Sequence, residues 1–226
     1  MSVIFVKTSD TKRCETAIAK SLQTALTAYN RVLFIVPGGS NIPIVTRIMQ
    51  HITASDSVKL AIMLSDERFG DVGHPDSNLQ QLYESGFKPK HATIVPVLRQ
   101  GASLEETGRL YAKVVSVAFN AADTIIAFLG MGADGHIAGI LPDSIATKPS
   151  KKWVVGYKTP EFTRITMTPF ALAHVSKAFV VAAGTPKLQA LQSLQKKVQS
   201  VAKQPVQLLK QLPEATVFND QIGDKL

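Results

Sequence analysis

Short apolar runs rich in β-branched residues alternate along the chain with longer stretches in which apolar residues recur every three to four positions. The runs at 2–7, 31–36, 58–64, 93–97, 123–129, 153–157 and 178–183 read as strands. Several are apolar on both faces, as strands buried inside a parallel sheet are. Three helical stripes stand out: Cys14, Ile18, Leu22, Ala25 and Tyr29; then Leu104, Thr107, Tyr111, Val114, Ala118 and Ala122; then Leu188, Leu191, Leu194, Val198 and Val201. A shorter helical pattern runs over 42–52, and Leu79 and Leu82 mark another helix. Each stripe would cover one face of a sheet. Strand–helix alternation of this kind predicts βαβ units and an α/β fold: an open, mostly parallel, Rossmann-like sheet flanked by helices. In such sheets ligands bind beyond the carboxyl ends of the strands, so the loops after strands carry the chemistry.

The chain has 226 residues. A chain of this length buries roughly 70–75% of its extended surface and needs no disulfide or metal staple. We expect one α/β domain over 1–226, with 142–175 as a candidate subdomain; the polar stretch 142–152 reads as a surface loop or its boundary. Cys14 is the single cysteine, which excludes a disulfide framework and a cysteine-based zinc site and fits a reducing compartment. No apolar run approaches the length of a membrane span, and the N-terminal run is too short for a signal peptide. The expectation is a cytoplasmic protein without membrane partners.

Charge changes the picture only through its position. Residues 1–147 carry 13 basic and 13 acidic side chains, whereas residues 148–226 carry 12 basic and 4 acidic, so the whole net +8 lies in the last third. The lysines there stand singly or in pairs, not as the dense basic block of a nucleic-acid tail. An anionic small molecule fits this spread, as does no more than a soluble lysine-rich surface, and nucleic acid is not expected.

Four loops carry unusual chemistry. Gly38, Gly39 and Ser40 follow the strand at 31–36 and precede a helix; they read either as an anion cradle or as a plain βα turn in which Ser40 or Asn41 caps the helix. Asp66, Glu67 and Arg68 follow the next strand. Three charges after an apolar strand must be solvated or paired, and Arg68 has the fork to grip a phosphate. Asp66 and Glu67 read as ligands for sugar hydroxyls or as partners of Arg68. Asp76 is a candidate cap for the helix marked by Leu79 and Leu82. In the third loop Gly130, Gly132 and Gly135 satisfy G-x-G-x-x-G. No acid stands about 20 positions on, as a dinucleotide site needs, so NAD is not expected. That loop instead delivers Asp134 and His136 to a strand mouth, and imidazole is the side chain best suited to move protons near neutral pH. His51, His74, His91 and His174 lack this setting and read as surface or loop residues. The fourth region pairs Arg164-Ile165-Thr166 with Gly184-Thr185-Pro186-Lys187, where Pro186 suits a first helical turn and Lys187 reads either as a cation at a helix N-terminus that meets an anion or as an exposed Lys beside an ordinary cap. No metal-ligand spacing, nucleophile elbow or nucleotide phosphate loop is present.

In order, Gly38-Gly39-Ser40, Asp66-Glu67-Arg68, His74 with Asp76-Ser77-Asn78, Leu129-Gly130-Met131-Gly132 with Asp134-Gly135-His136, Arg164-Ile165-Thr166, and Gly184 with Lys187 resemble the 6-phosphogluconolactonase family. That family lies within the glucosamine-6-phosphate deaminase and ribose-5-phosphate isomerase fold group, and the resemblance covers nearly the whole chain. Departures are Phe69, where the family usually has Trp, and Ile137, Gly139 and Leu141 in the segment after His136. The deaminase relatives carry a catalytic Glu where this chain has Leu141 and usually a Tyr where it has Arg68, so deamination or isomerisation of an amino-sugar phosphate is the weaker reading. A sugar-phosphate-binding protein without catalysis is a further alternative. The resemblance implies hydrolysis of 6-phosphoglucono-δ-lactone without metal or cofactor. It makes His136 the general base, oriented by Asp134, with Gly38, Gly39, Ser40, Asp66, Glu67, Arg68, Asn78, Gly132, Arg164 and Lys187 binding substrate. Monomer and dimer both stay open.

Overall fold

A computed structural model describes residues 3–223. Ser2, placed above in the first strand, lies outside the described residues. In chain order the elements are β1 (Ile4–Lys7), α1 (Thr11–Ala28), β2 (Val32–Val36), α2 (Ile42–Gln50), α3 (Ala54–Ser57), β3 (Leu60–Leu64), β4 (Asp66–Arg68), α4 (Asn78–Glu84), β5 (Thr93–Val95), α5 (Leu104–Ala121), β6 (Thr124–Gly130), β7 (Val154–Lys158), β8 (Thr163–Met167), α6 (Pro169–Leu172), β9 (Lys177–Val181), α7 (Leu188–Lys196) and β10 (Glu214–Asn219).

Seven strands form one sheet in the order β1-β10-β9-β6-β2-β3-β5, and every neighbouring pair is parallel. All five positions of β2 are buried, which is why its sequence is continuously apolar rather than alternating. The order reverses between β2 and β6. After β2 the chain steps outward through β3 and β5 on one side; after β6 it steps through β9 and β10 on the other. The loops leaving β2 and β6 therefore part and open a crevice at the carboxyl end of the sheet.

Helices flank this sheet for the reason their stripes predict. Cys14, Ile18, Leu22 and Ala25 of α1 are buried, and α1 packs against α2, β2, β6 and β9. Its N-cap is Asp10, whose carboxylate accepts from Lys12 N. Ser103 caps α5 in the same way, with Glu105 and Glu106 in the first turn, where acids suit the helix dipole. The stripes overrun at their ends. Tyr29 is 44% exposed just past α1, and Val198 is 92% exposed because α7 stops at Lys196.

A second, three-stranded antiparallel sheet, β4-β8-β7, stands beyond the carboxyl ends of the large one. Ser65 joins the two: its N–H donates to Val36 O, and its carbonyl accepts from Met167 N. This sheet draws β4 from outside 142–175. The segments around Asp66 and Arg164, read above as loops, are therefore strands of this sheet. The strand expected at 58–64 begins later, because Val58 is 67% exposed in the turn before it.

Candidate active site

The crevice between β2 and β6 holds a polar cleft of about 180 Å³. Its walls include Gly38, Gly39, Ser40, Asp66, Arg68, Asn78, His136, Arg164 and Lys187, so nine of the twelve residues singled out from the sequence meet here. Glu67, Gly132 and Asp134 do not line it. Each of the three supports a residue that does.

The turn after β2 passes through Gly38 and a 3-10 turn at Gly39–Asn41 into α2, and neither Ser40 nor Asn41 caps that helix with its side chain. Both residues line the cleft instead. Asn41, which the sequence reading weighed only as a cap, is thus a cleft residue. Gly38 is required by close approach: a Cβ there would lie 2.0 Å from Asn78 Oδ1. Asn78 in turn donates from Nδ2 to Asp66 O at 2.9 Å, locking the first loop to the second.

Glu67 is fully buried. Its carboxylate accepts from the backbone N–H groups of Arg68, Asn78 and Leu79 and from Ser77 Oγ. Burial pushes this carboxyl up and the four donors oppose that rise. Read from the sequence as a ligand for sugar hydroxyls or a partner of Arg68, Glu67 lies outside the cleft wall, accepts from the Arg68 N–H and ties the 66–79 segment together. Asp76 does not cap α4 either. Ser77 does, accepting from Gln80 N, while the Asp76 carbonyl accepts from Arg68 Nη1 at 2.8 Å. His74, expected as a plain loop residue, is half-buried with its Nε2 3.0 Å from Arg68 O.

The loop after β6 closes on itself. Gly132 N donates to His136 O, Gly135 N donates to Gly132 O, and Gly135 adopts φ 82°, a value that favours glycine. This tight turn brings the side chains two residues apart into contact: His136 Nδ1 lies 2.7 Å from Asp134 Oδ1, which also accepts from His136 N. A carboxylate can only accept, so Nδ1 carries the proton and the Nε2 lone pair of the neutral imidazole is left for chemistry. Burial would raise the Asp134 carboxyl, but the bonds from His136 outweigh it and hold it below the usual carboxylate range. Gly132 is where the imidazole lies: a Cβ there would fall 2.2 Å from the ring. Ala138, also on the cleft wall, is held at φ 50°, a strained value for a residue with a side chain. Gly139 leaves room for Thr166, whose Oγ1 accepts from Gly139 N at 3.0 Å.

Three cations share the cleft with this base. Arg164 is nearly buried, with Nη1 3.8 Å from Asp66 Oδ2. Burial raises the Asp66 carboxyl, opposed by Arg164 foremost, then by the Ser65 hydroxyl, Arg68 and His136. Lys187 ends a 3-10 turn leading into α7; burial lowers its ammonium below the ordinary lysine value, with Asp220 pulling the other way. The Nε atoms of Arg68 and Arg164 and the Oδ1 of Asn78 are buried without a hydrogen-bond partner. A second lobe, lined by Ala133, Asp134, Leu141, Thr159, Pro160 and Glu161, meets the first at His136 and Arg164. Among the described residues no cluster of three or more His, Cys, Asp or Glu is placed to hold a metal ion, and no helix is long and apolar enough to cross a membrane.

The chain is similar to proteins of known type over most of its length. It is 31% identical over 184 residues to the 6-phosphogluconolactonase of Neisseria meningitidis, covering 76% of this chain and 77% of the relative. It is 23% identical over 189 residues to that of Mycobacterium leprae, covering 77% and 76%. The crystal structure of a 6-phosphogluconolactonase from Shewanella baltica superposes with a TM-score of 0.81 at 20% identity, over 96% of this chain and 98% of that one. A family model described as glucosamine-6-phosphate isomerases/6-phosphogluconolactonase matches residues 7–218, and the chain belongs to that family.

Proposed function

We propose that the protein hydrolyses 6-phosphoglucono-δ-lactone to 6-phosphogluconate, with His136 as general base. The observation that carries the reading is an imidazole whose Nδ1 is held by Asp134, in a cleft shared with Arg68, Arg164 and Lys187. His136 Nε2 takes a proton from a water molecule as its oxygen attacks the lactone C1. The ester carbonyl becomes a tetrahedral oxyanion, which backbone N–H groups beside the glycine turns stabilise. The bond from C1 to the ring oxygen then breaks, and the imidazolium returns its proton to that oxygen. Asp134 keeps the imidazole in one tautomer and balances the imidazolium while it exists.

Arg68, Arg164 and Lys187 hold the phosphate. Binding this remote dianion fixes C1 in reacting geometry beside His136, which converts binding into rate. Asp66 and Asn78 face the sugar hydroxyls, with Ser40 and the Gly38-Gly39 amides at the phosphate end. Glu67 and Gly132 act behind these groups, one closing the loop and one giving the imidazole its room. Leu141, in the adjoining lobe, cannot transfer a proton, which weighs against amino-sugar deamination.

The test is a lactonase assay on the wild type and His136→Ala, with ammonia release from glucosamine 6-phosphate followed in parallel. Lactone hydrolysis above the spontaneous rate, lost in the variant, is the expected result. Hydrolysis no faster than the spontaneous rate sinks the reading, and full activity in His136→Ala removes the base.

A further inference from the structure

Arg68 in β4 and Arg164 in β8 are register partners across the small sheet. One step along, Phe69 N donates to Thr163 O at 2.7 Å. That bond makes 69–163 a hydrogen-bonded pair, so 68–164 is a pair of the other kind, in which cross-strand side chains stand closest. Like charges directly opposite repel. The anionic partners are unevenly shared: Asp66 and Glu161 stand 3.8 and 4.0 Å from Arg164, whereas Arg68 is held by the Asp76 carbonyl. Neither guanidinium is anchored through its Nε.

Besides the Asp66 carboxylate, which both guanidiniums influence, the two share Phe162. Its ring centroid lies 4.9 Å from Arg68 Cζ and 5.4 Å from Arg164 Cζ. Both distances fall within the range in which an aromatic face attracts a cation. The backbone that presents the ring is fixed, because Thr159 closes the turn between β7 and β8. Phe162 N donates to Thr159 Oγ1 at 3.1 Å, and the Phe162 carbonyl accepts from Thr159 Oγ1 at 2.7 Å and Thr159 N at 2.8 Å. Phe162 is not part of the cleft wall, whereas both arginines are.

We propose that Phe162 is a positioning residue for phosphate recognition: one ring, presented by a closed hairpin turn, sets the spacing of two like-charged guanidiniums so that they close on one phosphate together. The inference rests on the phosphate-holding role assigned to Arg68 and Arg164 above. Removing the π face while keeping apolar bulk lets the arginines separate. The ground-state grip on phosphate then weakens, while the chemistry at His136 is untouched.

The experiment compares Phe162→Leu, Phe162→Met and Phe162→Tyr. Each is read by steady-state kinetics on the phosphorylated lactone and by calorimetric titration with inorganic phosphate. Leu and Met should each raise KM and the phosphate Kd by about tenfold. Their kcat should stay within about twofold of wild type. Tyr, which keeps the ring, should restore both constants. Leu or Met at wild-type affinity overturns the proposal, as does Tyr as impaired as Leu, or a loss confined to kcat. Should neither Leu nor Met fold, Thr159→Val, which loosens the turn but keeps the ring, is read instead for the same rise in KM; an unchanged KM overturns the proposal. If the wild type does not hydrolyse the lactone, the functional reading falls, and the phosphate titration still decides the role of Phe162.

Discussion

His136 depends on the residue two positions before it. Spacing of i to i+2 does not by itself bring two side chains together; here the contact exists because Gly135 at φ 82° folds the loop back. Replacing Asp134 with Asn keeps the size but puts an amide where only an acceptor fits, and the imidazole loses its tautomer. We expect kcat to fall by more than about tenfold while the fold survives, measured as kcat on the lactone beside a thermal melt. His136→Ala should cost about 100- to 10,000-fold, the range general acid–base groups supply. Lys187 gives a pH signature. Burial lowers its ammonium from the ordinary lysine value, so the charge is lost, and KM rises, at a pH below that of a solvated lysine. The same direction means the unfolded chain holds the proton longer, so folding stability increases as pH rises through this window. The expected result is therefore a KM that climbs on the alkaline side without a fall in Tm, and Lys187→Arg should abolish that limb. At this scale the sequence was legible where chemistry is carried by residue type and order, as in His136, Arg164 and Lys187. It was silent on Phe162, an ordinary aromatic whose role comes only from the turn that presents it, and on Asn41, which reads as a cap until the fold places it on the cleft wall.

Among the elements, the central strands of the large sheet were legible because burial on both faces leaves an unbroken apolar run, as in β2 and β6. β4 and β8 were not. A three-residue strand written Asp-Glu-Arg has no apolar face, and its pairing with β8 joins positions about a hundred residues apart. β10 was missed for a related reason: it slots between β1 and β9, so its partners come from both ends of the chain. The functional weight rests on the short segments that the large sheet's ends support. Glu67 is the staple of one. Exchanging it for Gln keeps the shape but turns donors toward donors. We expect a loss of about 2–3 kcal/mol in urea unfolding, together with a higher KM as Asn78 and Arg68 shift. Gly132 guards another. A methyl group there would occupy the space of the His136 ring, and a misplacement of the base on the order of 1 Å costs about 100-fold. Gly132→Ala should therefore reduce kcat by that order while Tm moves little, and a variant with wild-type kcat would show that the imidazole does not work from this position.

For the whole molecule the question is what the net +8 does. Its location in residues 148–226 pointed to an anionic partner, yet the three cations in the cleft come from separate parts of the chain: Arg68 from β4, Arg164 from β8 and Lys187 from the turn before α7. Only two of them belong to the basic third. The exposed pair Lys196 and Lys197 sits at the end of α7, outside the cleft wall. Charges beyond a screening length, about 8–10 Å near physiological salt, contribute little to the field at the cleft, whereas charges in a low-dielectric crevice focus it. This separates two explanations of substrate attraction. If the excess charge as a whole steers the dianion, neutralising Lys196 and Lys197 together should flatten the fall of kcat/KM with ionic strength. If the cleft cations do so, that double variant should keep the wild-type slope and Lys187→Gln should flatten it. We expect the second outcome. Measured between roughly 50 mM and 500 mM salt, where screening shortens from about 14 to 4 Å, the wild-type kcat/KM should fall severalfold, with the loss in KM and kcat constant. The sequence could show where the charge lay along the chain. Only the reversal of strand order at β2 and β6, which draws loops from distant segments to one crevice, decides which of those charges a phosphate meets.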